Sequence, residues 1–160
     1  MIRLMRETVI MGRDWWRGMG DRLVKLIRLQ TAAGKGADGQ AFPAYTDEYR
    51  DRKVAGVARG KTKRGLGRAQ ASRSSRPDLV LTGQMMQDLQ TLEATDTSVK
   101  VGWPVQGAKV IWNEETGRAI TTEEDPLAAP VWSYFERLLD NEIDRRLREA
   151  AKSEKLRIKV

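Results

Sequence analysis

The sequence predicts an α+β fold: a small antiparallel sheet with a long N-terminal helix and a long C-terminal helix packed on it, plus a basic extended arm. Three observations predict it. Apolar residues recur at three- and four-residue steps from about Thr8 to Ala33, and again from about Val131 to Ala151. Between these stretches, Val99, Val101 and Trp103 alternate with Ser98, Lys100 and Gly102, the period of a strand with one buried face. From Arg59 to Pro77 the only large apolar residue is Leu66. Such a composition cannot bury enough surface to offset ordering entropy, so residues 59–77 read as a mobile arm on a single domain spanning 1–160.

In the first helix Met11, Trp15, Met19, Leu23, Leu26, Ile27 and Leu29 form the apolar side. Arg13, Asp14, Arg17, Asp21, Arg22, Lys25 and Arg28 fill the other. Gly18 and Gly20 each cost roughly 1 kcal/mol relative to alanine, which invites a bend. Gly34 ends the helix. The interleaved Asp14 and Asp21 favour a solvated face over a membrane-lying one. In the glycine-rich loop that follows, Asp38 alone lacks the oxygen ligands of a calcium site. Phe42 and Tyr45 are expected to pin this loop to the core. Thr46 is a helix N-cap, and Tyr49 is expected on the inner side of a helix ending near Ala58.

Gly60-Lys61-Thr62 imitates the end of a phosphate-binding loop, but the earlier glycine of that motif falls on Ala55 and no apolar strand precedes it. At the far end of the arm, Pro77 and Asp78 stop what precedes them, and Leu79, Val80 and Leu81 supply an apolar anchor. Thr82 is expected to cap a short helix that puts Met85, Met86 and Leu89 on one face. With that cap, Leu81 and Met86 have the spacing of a hydrophobic staple.

Leu92 and Ala94 alternate with polar neighbours, and Thr95-Asp96-Thr97 reads as the turn of a hairpin that Pro104 ends. Ala108 to Trp112 is a short apolar piece, and Asn113 to Arg118 reads as a polar loop or fraying helix end. Glu114 and Glu115, with Glu123, Glu124 and Asp125, have the residue types of paired carboxylates for acid–base work or a magnesium site. With no apolar pocket signalled around them, they read as solvated acidic loops, suited to receive a neighbour's basic arm. In the last helix Val131, Phe135, Leu138, Leu139, Ile143 and Leu147 form a stripe. Glu142 with Arg146, and Asp144 with Arg148, have favourable i,i+4 spacing. Residues 152–160 are expected as a C-terminal tail or terminal strand, because Leu156, Ile158 and Val160 alternate with cations.

The chain has neither cysteine nor histidine. That excludes disulfide frameworks, thiolate nucleophiles, the usual zinc, haem and iron–sulfur ligand sets, and imidazole catalysis. No remaining side chains show catalytic spacing, so the expectation is a non-enzyme without metal or cofactor. No apolar run approaches a membrane span, and charges interrupt the N-terminal segment before a signal-peptide core forms, so a soluble chain made in the cytoplasm is expected. The formal charge is +7, from 29 basic and 22 acidic residues. Arg59, Lys61, Lys63, Arg64, Arg68, Arg73 and Arg76 of the arm supply seven of the 29 with no acid among them, which leaves 22 against 22 elsewhere. The charge excess is therefore local, an interaction feature of the arm rather than a basic face.

The motifs come in a particular order: Q-x3-G-x4-G-x-A-F-P-x-Y-T over Gln30–Thr46, D-L-x-L-T-G-x-M over Asp78–Met85, V-x-V-G over Val99–Gly102 and N-E-x-x-G-R over Asn113–Arg118. Together they resemble the tail-completion or head–tail joining proteins of tailed bacteriophages, also called virion-morphogenesis or neck proteins. The resemblance covers roughly Leu23 to Leu139. It implies a small α+β structural protein without catalytic residues, a homo-oligomeric ring (hexamer or dodecamer) at the head–tail junction of the virion. Its partners would be the neighbouring connector and the tail tube or terminator, with DNA passing through the bore and no membrane involved. The alternative is a DNA- or RNA-binding protein acting through the arm, although the arm carries no aromatic residue for base stacking.

Overall fold

A computed structural model describes residues 2–5, 11–56, 61–62, 65–66, 73–80, 83–121 and 128–157. The expected Leu81–Met86 staple, the acids Glu123, Glu124 and Asp125, the cations Arg59, Lys63, Arg64 and Arg68, and residues 158–160 of the tail involve positions outside that set. In chain order the elements are β1 (Ile2–Met5), α1 (Arg13–Ala32), α2 (Asp47–Ala55), β2 (Lys61–Thr62), β3 (Gly65–Leu66), α3 (Gln84–Asp88), β4 (Gln90–Ala94), β5 (Ser98–Gly102), α4 (Gly107–Glu115) and α5 (Ala129–Arg157). The class is α+β, with two long helices and a small antiparallel sheet. The chain divides into two compact units, Met1–Leu127 and Ala128–Val160.

In the first unit the sheet order is β1-β5-β4, with Ile2 opposite Val101 and Ala94 opposite Val99. The β4–β5 hairpin follows the expected alternation, and Val99 and Val101 are buried. A bulge between Thr91 and Glu93 accommodates Leu92. The extra residue breaks the two-residue period, and Leu92, expected on the inner face, stands exposed instead. β2 and β3 form a separate two-residue antiparallel ladder within the arm.

α1 packs across β4 and β5. Met19, Leu23 and Ile27 are buried as the periodicity predicts. Two positions are corrected. Trp16, not Trp15, joins the core, because it falls in step with Gly20, Leu23 and Ile27; Leu29 falls outside that stripe and is exposed. No cap side chain on α1's own start holds it. Asp96, at the hairpin turn, does so from a distance. Its Oδ1 accepts from the Arg13 N–H at 3.1 Å, and its carbonyl accepts from the Met11 N–H at 3.0 Å and the Trp16 Nε1–H at 3.1 Å. Asp96→Ala removes the carboxylate cap and is expected to cost about 1 kcal/mol in urea unfolding.

α3 also departs from expectation. Its N-cap is Gly83, at φ 75°, rather than Thr82, and with that cap the Leu81–Met86 spacing is no longer that of a staple. Arg28, exposed on the polar side of α1 as expected, also closes the end of α3. Its Nε donates to the Met86 carbonyl and its Nη2 to that of Leu89, both at 2.8 Å. The apolar piece from Ala108 continues as α4 to Glu115. Asp88 Oδ2 accepts the Val105 and Gln106 N–H groups just ahead of it.

In the second unit α5 starts before the expected Val131 and runs to Arg157, so residues 152–157 are helical rather than an extended tail. Leu147, expected in the apolar stripe, is 63% exposed. The Glu142–Arg146 pair forms at 2.8 Å. Among the described residues Asp144 and Arg148 form no ion pair; Arg145 instead bridges Glu142 and Glu149, at 2.7 and 2.6 Å. Hydrogen bonds from Arg145 and then Arg146 hold the Glu142 carboxyl down to about 2. Its contribution is therefore present above the ordinary carboxylate range and lost as pH falls through about 2.

Candidate functional site

The loop after α1 is built to present Tyr45. Gly34, at φ 76°, turns the chain out of the helix. The Phe42 N–H returns to the Gly34 carbonyl at 2.8 Å, and the Gln30 side-chain amide donates to the Gly36 carbonyl. Phe42 is buried, as expected of a residue that pins the loop. Asp38 only accepts from the Gln40 N–H at 2.9 Å, an Asx turn. Thr46 caps α2 as expected, its hydroxyl accepting from the Tyr49 N–H at 3.4 Å.

The inward residue of α2 is not Tyr49 but Lys53, only 1% exposed. Its ammonium pairs with the Asp78 carboxylate and lies 5.0 Å from the centroid of the Tyr45 ring. A lysine reaches such burial only with a partner. Asp78 also accepts the Val80 N–H at 3.0 Å, and the Tyr45 hydroxyl accepts the Leu79 N–H at 3.1 Å. Leu79 itself sits at φ 52°, uncommon for a branched side chain, and is held there by these flanking bonds. Neither the buried role of Lys53 nor that of Asp78 has a signal in the local sequence, where both look like ordinary surface charges.

Arg118 closes the other side. Its guanidinium lies 5.3 Å from the Tyr45 centroid and donates to the Pro43 and Ala44 carbonyls at 3.2 and 2.9 Å. Asn113, read from sequence as part of a polar loop or fraying helix end, lies in the last turn of α4 and is buried; it bonds the Lys109 carbonyl at 2.7 Å and reaches Met85 Sδ at 3.7 Å. Tyr49 meets Tyr45 edge-to-face with centroids 4.8 Å apart.

Tyr45, Tyr49, Leu79, Asn113 and Arg118 are among the residues that line a groove of about 680 Å³, a volume typical of binding clefts. Tyr45, Tyr49 and Leu79 form one wall, and Met85, Lys109 and Trp112 the other. Trp112 is 60% exposed, so a large ring stands open at the rim.

Burial is the main cause that pushes the Tyr45 phenol above its ordinary value of 10.0; the Leu79 N–H and Arg118 oppose it and Asp78 reinforces it. Tyr49 is raised too, by burial and then by Tyr45. The folded chain therefore keeps these protons to higher pH than the unfolded chain does. Stability is full below the unfolded phenol value, near 10, and is lost as pH rises through the raised folded values. Denaturant titrations from about pH 9 to about pH 11 are expected to show this decline, with a shallower slope in Tyr45→Phe.

Of the arm cations, Arg73 and Arg76 have described side chains. Both are exposed, with the Arg73 guanidinium against Gly56 at the end of α2 and the Arg76 stem against Gly34 at the end of α1. Helix C-termini favour such cations. Lys61 lies in β2. Glu114 and Glu115 are exposed at the end of α4. Among the described residues no group of acids is arranged to hold a metal ion, and no helix is long and apolar enough to cross a membrane. No family model, curated protein or solved structure matches the chain.

Proposed function

We propose that this chain is a structural virion protein of a tailed phage, one subunit of a homo-oligomeric ring at the head–tail junction that completes or joins the tail and lets DNA pass. The observation that supports this reading is the convergence of the motif residues. Pro43, Ala44, Tyr45 and Thr46 of the first motif, Leu79 of the second and Asn113 and Arg118 of the last meet in one cluster. Their hydrogen bonds go largely to backbone groups, the use expected of residues that hold a shape. Such a frame suits a subunit whose work is assembly, with the acidic loops and the basic arm supplying complementary charge between neighbours.

Sedimentation and negative-stain imaging of the purified protein, with tails alone and with filled heads alone, test the reading. Closed rings seated on one of the two are expected. A chain that stays monomeric beside its tail partner overturns the proposal. Arg73→Gln with Arg76→Gln should leave the monomer folded and weaken assembly; unfolding of the monomer would show that the arm's base is structural instead. The nucleic-acid reading predicts tight, salt-sensitive duplex binding that disappears when residues 60–76 are deleted.

A further inference from the structure

We propose that the groove between Tyr49 and Trp112 receives the acidic segment Glu123–Leu127 of a second copy of this chain. The inference rests on the ring reading and names one of its contacts. The groove's polar groups are largely spoken for. Arg118 donates to the carbonyls of Pro43 and Ala44 and to the Thr116 hydroxyl, and Asn113 bonds the Lys109 carbonyl. What remains for an occupant is apolar surface (Trp112, Tyr49, Leu79 and Met85) and positive charge. Lys109 donates to Gln84 Oε1 at 3.2 Å, and Arg118 bonds only neutral oxygens. Neither makes an ion pair among the described residues, and Arg118 keeps two of its five N–H donors for a carboxylate.

The complementary chemistry is a short segment that carries adjacent carboxylates and then compact apolar side chains. Glu123-Glu124-Asp125 is the only run of three acids in the sequence, and Pro126-Leu127 follows it directly. The carboxylates match Lys109 and Arg118, while proline and leucine match the open rings of Trp112 and Tyr49. Proline also lowers the entropy lost on docking, because its φ is already fixed. The arm, with its seven cations, is excluded from this groove by like charge.

The test uses the full chain, mixed in equal amounts in ¹⁴N and ¹⁵N forms and coupled with a zero-length carbodiimide that joins lysine amines to carboxylates. The expected product joins Lys109 to Glu123, Glu124 or Asp125, with light–heavy pairs about as abundant as same-isotope pairs. Same-isotope pairs alone would mean that the segment folds onto its own groove and would overturn the proposal, as would the absence of these links. Lys109→Glu, at an exposed position, is expected to weaken self-association about tenfold or more, with recovery in the Lys109→Glu, Glu124→Lys double variant. If rings form and Lys109→Glu leaves them unchanged, the groove assignment fails and the ring reading stands. If the light–heavy links form but only open dimers are seen, the ring reading fails and the groove assignment stands.

Discussion

Lys53→Met is expected to destabilise the protein by about 3–5 kcal/mol, because it removes the buried ammonium that pairs with the Asp78 carboxylate. Domains of this size have only about 5–15 kcal/mol in total, so the single variant is expected to be near unfolding at 37 °C. The reciprocal Asp78→Asn leaves a buried ammonium and should cost a similar amount. The double variant should recover much of the loss, since neither charge is then buried and the asparagine oxygen can still accept the Val80 N–H. A double-mutant cycle in urea measures this directly; two single losses that simply add would show that the pair is not coupled. The consequence reaches the groove. Asp78 precedes Leu79, whose N–H sits on the Tyr45 hydroxyl, so loss of the pair releases the wall on which Tyr45 and Tyr49 stand.

The second large effect separates two glycines that look alike in sequence. Gly20 faces the sheet. A methyl group there would lie 2.6 Å from Val99 Cγ2 and 2.7 Å from Thr91 Oγ1. Both neighbours are β-branched and stiff; Val99 is buried, and the Thr91 hydroxyl is bonded to Asp21 Oδ1 at 2.9 Å. Gly20→Ala must therefore push α1 off the hairpin, a net loss of about 1–3 kcal/mol even after the gain in helix propensity. Gly18 is exposed, and its added methyl would meet nothing within 4 Å. Gly18→Ala is expected to stabilise by about 0.5–1 kcal/mol. Thermal unfolding of the two variants should move the midpoint in opposite directions. Equal shifts would mean that the helix does not approach the sheet this closely.

The same pair shows how much could be read beforehand. Periodicity located α1, the hairpin and the last helix, and the capping rule located the start of α2 at Thr46, because each signal lies within one element. Helix propensity also marked Gly20 as a weak point, but a helix read alone has no sheet against it, so the close approach that requires glycine was invisible. The same holds for Arg28, Lys53 and Asp78. Each looks like a surface charge until a residue 25 or more positions away is brought beside it. The candidate site was legible only in pieces. Tyr45, Thr46, Leu79, Met85, Asn113 and Arg118 belonged to recognisable motifs, whereas Lys109 and Trp112 joined them only through the packing of α3 against α4. Leu92 was misplaced because a bulge shifts the alternation by one residue without leaving a turn signal.

The anchoring of α1 by Asp96 has a kinetic side. Donor and acceptor stand 83 positions apart, so a chain emerging from the ribosome completes the helix long before the residue that fastens its first turn exists. The first turn of α1 must then remain frayed until the hairpin closes, and the contact belongs to the last steps of assembly. Asp96→Ala should accordingly speed unfolding and leave the refolding rate almost unchanged. The tip of the hairpin acts as a latch, set only after everything between has found its place.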